Sequence, residues 1–178
     1  MLTVTPTELP GVLVLEPKVF GDARGFFLES FNARRFREAT GLDVGFVQDN
    51  HSRSARGVLR GLHYQIRQPQ GKLVRVVRGR VFDVAVDLRR GSPTLGRVVT
   101  LEASDDEPVL FWAPASFARG FCALADVTEI EYFCTNTYNP ACESGIRWDD
   151  PALGIEWPVS APRLSAKDAA AGSLADWL

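Results

Sequence analysis

The stretch KLVRVVRGRVFDVAVDLRRGSPTLGRVVTLE, Lys72 to Glu102, decides the fold. Three short β-branched runs are separated by Gly79 and by the turn-rich RRGSPTLG at 89–96. Within FDVAVDL, the apolar Phe82, Val84, Val86 and Leu88 alternate with Asp83, Ala85 and Asp87. Successive side chains of a strand point to opposite faces, so this period of two predicts a sheet with one buried face and one exposed or cavity-facing face. Outward from it, VLRGLHYQ (58–65), PVLFWAP (108–114), GFCALAD (120–126) and TEIEYFCTNTY (128–138) continue the series. Many short strands at this spacing predict a mainly β chain, a sandwich or barrel with a few short helices.

The flanks follow the same logic. GVLVLEPKVF (11–20) and FFLESF (26–31) carry strand signals, and NARRFREATG (32–41) has the one clear helix signature before the C-terminus. Asn32 is suited to cap its first turn, Phe36 and Ala39 share a face, and Gly41 is a natural stop. Residues 139–178, rich in Pro, Gly and Trp, are expected to wrap the barrel with loops and a short helix. The expected organisation is a single domain over 1–178: strands and a helix to residue 50, a barrel core over 51–138, and the wrapping segment over 139–178.

Bulk properties narrow the function. The 178 residues are 46% hydrophobic and 24% charged, with a formal net charge of -2. No basic excess invites nucleic acid. The first 17 residues lack a basic n-region and an apolar run, so no signal peptide is expected, and no stretch is long and apolar enough to span a membrane. Cys122, Cys134 and Cys142 form no CxxC pair. An odd, sparse set of thiols suits a reducing, cytoplasmic setting.

Only two histidines are present, His51 and His63. Jelly-roll metalloenzymes often place a second histidine two residues after the first, but here that position is Gln65. Neither histidine sits in an H-x-H or H-E-x-x-H arrangement, so no metal is expected. Taken alone, His63 reads as a hydrogen-bonded structural histidine. Its neighbours argue otherwise: Arg60, Tyr64, Gln65 and, beyond a loop, Lys72, with Gln48, Asp49 and Asn50 upstream in FVQDNHS and Arg24 and Glu29 in DARGFFLES. Facing one cavity, such a set makes sense around a polar, anionic ligand, because unpaired buried charge is costly and arginine pairs well with phosphate oxygens. Neither a Gly-rich phosphate loop nor a nucleophile elbow occurs. The acidic pair in IRWDDP, Asp149 and Asp150, precedes a proline and reads as a turn or cap. What remains is acid–base chemistry by histidine, tyrosine and lysine.

Taken together, GVLRGLHYQ, KLVRVVRGRVFDVAVDLRRGSPT, EYFCTNTYNPACESGIRWDDPALGIEWP and LSAKD, with FGDARGFFLESFN and FVQDNHSRS, resemble the dTDP-4-dehydrorhamnose 3,5-epimerases. The likeness runs from about Val14 to Asp168. It implies a cupin-type jelly roll that works as a homodimer without metal or cofactor on a dTDP-4-keto-6-deoxyhexose. It further implies that His63 removes the proton next to the C4 ketone, Asp168 orients His63, Tyr132 returns the proton on the opposite face, and Lys72 steadies the enolate. Arg24, Glu29, Gln48, Asp49, Asn50, Arg60, Glu143 and Lys167 are implied to bind the nucleotide sugar, and Tyr138 to stack on thymine. The resemblance departs at FARGF: the family's string is A-H-G-F, and here Arg119 replaces the histidine beside the sugar. Arginine stays charged and is no base near neutral pH, which places the pose of the sugar and the choice of C3, C5 or both in its hands. A double epimerase, a single-centre 3- or 5-epimerase and a non-catalytic sugar-nucleotide binder all remain open at this point.

Overall fold

The computed structural model describes residues 2–177. The N-terminal part contains β1 (Leu2–Pro6), β2 (Leu13–Pro17), β3 (Val19–Asp22), β4 (Gly25–Leu28) and α1 (Ala33–Thr40). The middle contains β5 (Gln48–Ser54), β6 (Leu59–Gln65), β7 (Lys72–Arg78), β8 (Arg80–Asp87), β9 (Val98–Ser104), β10 (Leu110–Ala113), β11 (Phe117–Ala123) and β12 (Thr128–Cys134). The tail adds β13 (Glu143–Gly145), the short α2 (Ala166–Ala169) and a 3-10 turn at Leu174–Asp176.

Two antiparallel sheets face each other, one ordered β1-β2-β10-β7-β12-β5 and the other β13-β6-β11-β8-β9, while β3 and β4 form a separate hairpin. The predicted strands are there, and the sandwich of a mainly β jelly roll is the architecture. Between the sheets, Val74, Val76 and Ile130 meet Val81 and Phe121, and Phe111 meets Ala85 and Phe117. This filling occupies part of the interior only; the rest is a polar cavity.

Both outer faces are covered as well, and the alternation expected for β8 holds: its apolar face is buried, and Asp83 of its other face lines the cavity. Phe82, Val84, Val86 and Leu88 pack outward under Ile146, Leu153, Trp157, Leu174 and Trp177 of the wrapping segment. Asp83 and Asp87 are buried rather than wet. Asp87 accepts bonds from Arg89, Ser92 and Thr94 and so pins the loop that follows its strand. Asp150 accepts from the backbone N–H groups of Ala152 and Leu174, the turn role expected of it.

On the other outer face lies α1. Asn32 caps it by accepting from the Arg35 N–H at 3.1 Å, and Gly41 ends it at φ 72°. Phe36 is buried among Phe31, Phe46 and Trp112, with ring centroids 5.7–6.1 Å away. Ala39, expected on the same face, is exposed. One aromatic row suffices to seat a two-turn helix on a flat sheet, and burying such a ring contributes roughly 2–3 kcal/mol.

Candidate active site

Two adjoining lobes of one cavity open between the sheets, each about 290 Å³. His63, Lys72, Tyr132, Tyr138 and Glu143 line both. The first lobe adds the amides Gln48, Asn50, Gln65 and Gln70 together with Cys134. The second adds Arg60, Asp83, Arg119 and Lys167 against Val74, Phe121 and Ile130.

Strand alternation explains the first lobe. On β12, Ile130, Tyr132 and Cys134 point in; on β7, Lys72 and Val74 do; on β5, Gln48 and Asn50 do. His63 comes from the opposite sheet, on β6. The histidine and the tyrosine therefore stand on facing walls. Arg60 lies three residues before His63 and would point away under strict alternation, yet it lines the second lobe. An irregularity in the β6–β11 register between Arg119 and Phe121 resets the phase. There the backbones pass so closely that a Cβ on Gly61 would lie 2.5 Å from the Gly120 Cα, and only glycine fits.

His63 is fixed by its partner. Its Nε2 lies 2.5 Å from Asp168 Oδ1. A carboxylate only accepts, so Nε2 carries a hydrogen, and in the neutral ring the lone pair is on Nδ1. Asp168 itself is buried and held by Ser165, the cap of α2, whose Oγ accepts from the Asp168 N–H at 3.1 Å. Burial alone would raise the Asp168 pKa, but the hydrogen bond and charge of His63, with help from Ser165 and the Gly61 backbone, hold it below the usual carboxylate value. The carboxylate is therefore ionised whenever His63 needs it.

The facing wall is less bound. Among the described residues the Tyr132 hydroxyl makes no hydrogen bond and Lys72 pairs with no carboxylate. Burial pushes the Tyr132 pKa up, with Cys134 and Glu143 adding to it and Arg60 opposing. The phenol is thus in its acid form at neutral pH. Burial also lowers the Lys72 pKa; Cys134 and Glu143 pull it back while Arg119 lowers it further. At the rim, Glu143 accepts from the Tyr138 hydroxyl at 2.5 Å and pairs with Lys167. Burial would raise the Glu143 pKa, but Lys167 and Tyr138 outweigh it and keep this carboxylate charged.

Three residues expected at the site lie elsewhere in the single chain. Asp49 is exposed on the outer face of its sheet, because Gln48 and Asn50 point in and the residue between them must point out. Arg24 stands at the tip of the β3–β4 hairpin, bonded to Asp22 and almost fully exposed. Glu29, just past β4, pairs with Arg35 at 3.0 Å and accepts from Asn32. The two histidines lie in different sheets, and His51 faces outward against Glu129 and Glu131 at 3.1 and 3.5 Å.

Gln65, where a second histidine would stand, works as a staple. Its side chain donates to the Gln68 and Thr137 carbonyls and accepts from the Asn139 N–H, tying down the loop that carries Tyr138. Asp83 was not singled out for the site, although it anchors Arg119 inside the cavity. The available signal was an acidic residue inside a β-branched run on a central strand. Cys134, one of the three thiols with no role expected at the site, also lines the first lobe.

A family model described as dTDP-4-dehydrorhamnose 3,5-epimerase matches residues 6–176. Over 176 residues the chain is 56% identical to the dTDP-4-dehydrorhamnose 3,5-epimerase of Pseudomonas aeruginosa, covering 98% of this chain and 97% of that one. It is 55% identical to the enzyme of the same name from Shigella flexneri over 168 residues, 94% and 93% of the two chains. A crystal structure of dTDP-6-deoxy-D-glucose-3,5-epimerase from Legionella pneumophila in complex with dTDP-4-keto-L-rhamnose superimposes with a TM-score of 0.96 at 48% identity, covering 100% and 97% of the chains.

Proposed function

The chain belongs to the dTDP-4-dehydrorhamnose 3,5-epimerase family, and from that premise we propose that it inverts C3 and C5 of dTDP-4-dehydro-6-deoxy-D-glucose to give dTDP-4-dehydro-L-rhamnose. The observation that carries this reading is the placement of His63 and Tyr132 on opposite sheets around one cavity that also holds Lys72. A ketone acidifies the hydrogens on its α-carbons, here C3 and C5. Inversion requires removal of the hydrogen from one face and delivery of another to the opposite face.

His63 Nδ1 takes the proton, and Asp168 accepts from Nε2–H and supports the imidazolium that forms. Electrons flow to the C4 oxygen, where the Lys72 ammonium offsets the developing charge. Tyr132 then gives its hydroxyl proton to the other face of the carbon. The substrate's own carbonyl is the electron sink throughout, so these residues suffice for the proton transfers. Arg60 and Lys167 supply cations for the diphosphate, Gln48 and Asn50 supply amides for polar groups of the ligand, and Tyr138 at the rim, half exposed, offers a ring for the thymine.

The working unit in this reading is a homodimer. Val19, Phe20, Phe26 and Phe27 of the β3–β4 hairpin are all more than 40% exposed. Apolar surface of that kind favours a partner, and a second copy would bring Arg24 and Glu29 from the hairpin to a neighbouring cavity. The three buried, free thiols accord with a reducing, cytoplasmic compartment. Among the described residues no helix is long and apolar enough to cross a membrane.

A single-centre epimerase is the second reading, and the observation that favours it is Arg119 beside His63. One experiment addresses both. The protein is incubated with dTDP-4-dehydro-6-deoxy-D-glucose in heavy water, and hydrogens 3 and 5 are followed by NMR. Exchange at both positions with formation of the L-rhamno product is expected, and His63→Ala should slow it by about 10²–10⁴-fold while still binding dTDP. Exchange at one position selects the second reading. Nucleotide binding without exchange in the wild type overturns both.

A further inference from the structure

Arg119 is the deepest cation in the cavity, only 6% exposed. It pairs directly with His63 across β11 and β6, so the two side chains leave the sheet on the same face as neighbours. Its Nη2 donates to both oxygens of Asp83 at 2.9 and 3.0 Å, and its guanidinium lies 4.5 Å over the Phe111 ring. Asp83 is buried too. Burial pushes its pKa up and Arg119 pulls against that, so the two form a neutral unit when paired.

The guanidinium is nevertheless under-satisfied. Of its five N–H donors, those on Nη2 serve Asp83, Nη1 makes one long contact of 3.5 Å to the Lys72 carbonyl, and Nε has no partner. Buried donors without acceptors are rare, because each forgoes water for nothing. Phe111 covers one face of the planar guanidinium and Asp83 takes Nη2, while Nε is shut away from the cavity, so Nη1, with its single long contact, is the donor left for the lobe that Arg119 lines with His63. Because Asp83 cancels the charge, this donor suits a neutral acceptor such as a hydroxyl better than a phosphate.

His63 acts on the carbons flanking the ketone. Of these, C3 bears a hydroxyl and C5 bears a methyl group and the ring oxygen. We infer that Arg119 is a specificity-determining residue, donating from Nη1 to the C3 hydroxyl and so holding C3 rather than C5 against His63. The inference rests on the proposed epimerase function and adds a division of labour within it. Arg119 favours the C3 step, while the C5 step runs with little help from it.

The test is position-resolved exchange in heavy water for wild type, Arg119→Lys and Arg119→Gln, with dTDP affinity measured alongside. Loss of a hydrogen bond from a charged donor predicts a fall of about tenfold or more in exchange at C3 relative to C5, with dTDP affinity unchanged. Should the single variants misfold, the double variant Asp83→Asn/Arg119→Gln leaves no buried charge unpaired and is scored by the same ratio. Equal slowing at both carbons, or none at either, overturns the inference and leaves the epimerase reading standing. Absence of exchange in the wild type removes the epimerase reading and this inference with it.

Discussion

The two walls of the cavity are built differently. On the His63 wall each functional group is tied down before any ligand arrives: Asp168 holds the imidazole, Ser165 holds Asp168, and Asp83 holds Arg119. On the Tyr132 wall, Tyr132 and Lys72 are positioned by strand geometry and packing alone, with their polar ends unpaired among the described residues. The difference suits the chemistry. The base must present one tautomer along one direction, and that requires a fixed partner. The acid and the cation must respond to a charge that appears only during reaction, and prior partners would compete with it.

Predictions that sharpen this contrast can be ranked by size. Lys72→Gln removes the fixed cation at the enolate and should slow exchange at both carbons by about 10²–10³-fold. Single-turnover rates at saturating substrate check this, and an unchanged rate would separate Lys72 from the enolate. Asp168→Asn frees the imidazole on the tied wall and should cost roughly ten- to hundredfold, a typical loss when a histidine's orienting partner is changed.

That same substitution has a stability signature. The folded-state pKa of Asp168 is lower than its unfolded value of about 3.9. A depressed carboxylate contributes stability that is fully present above the unfolded pKa and is lost as pH falls through the folded one. Wild type should therefore be more stable than Asp168→Asn at pH 6–7, and denaturant titrations should show the gap closing below about pH 4. A gap that is constant with pH would mean that the carboxylate's charge is not what matters. The smallest effect belongs to a region outside both walls. Phe26→Ser with Phe27→Ser should weaken self-association, read by sedimentation velocity, while the single-chain fold persists. Unaltered association would place the interface elsewhere.

Much of this was legible in the sequence because its cause is local. The period of two in FDVAVDL, the cap at Asn32 and the stop at Gly41 each act within a few residues, and strands and helix form where they indicate. The same period, followed through FVQDNHS, separates Gln48 and Asn50 from Asp49 and would have excluded Asp49 from the cavity. What was hidden is long-range. His63 and Asp168 are 105 residues apart and Asp83 and Arg119 are 36 apart, and no spacing rule announces either pair. The shift in register beside Gly61 and Gly120, which turns Arg60 inward, depends on two backbones touching. Arg24 and Glu29 read like cavity residues, but their hairpin belongs to neither main sheet and carries them away from their own site.

The most direct measurement follows Tyr132→Phe by NMR in heavy water, recording exchange and product stereochemistry in the same tube. With the base wall intact and the acid removed, His63 should still take up each proton and return a deuteron to the face it came from. Exchange should thus continue without inversion. If the variant instead loses exchange as completely as His63→Ala, or inverts its substrate like the wild type, a phenol and an imidazole working from opposite faces of one sugar ring is the wrong picture.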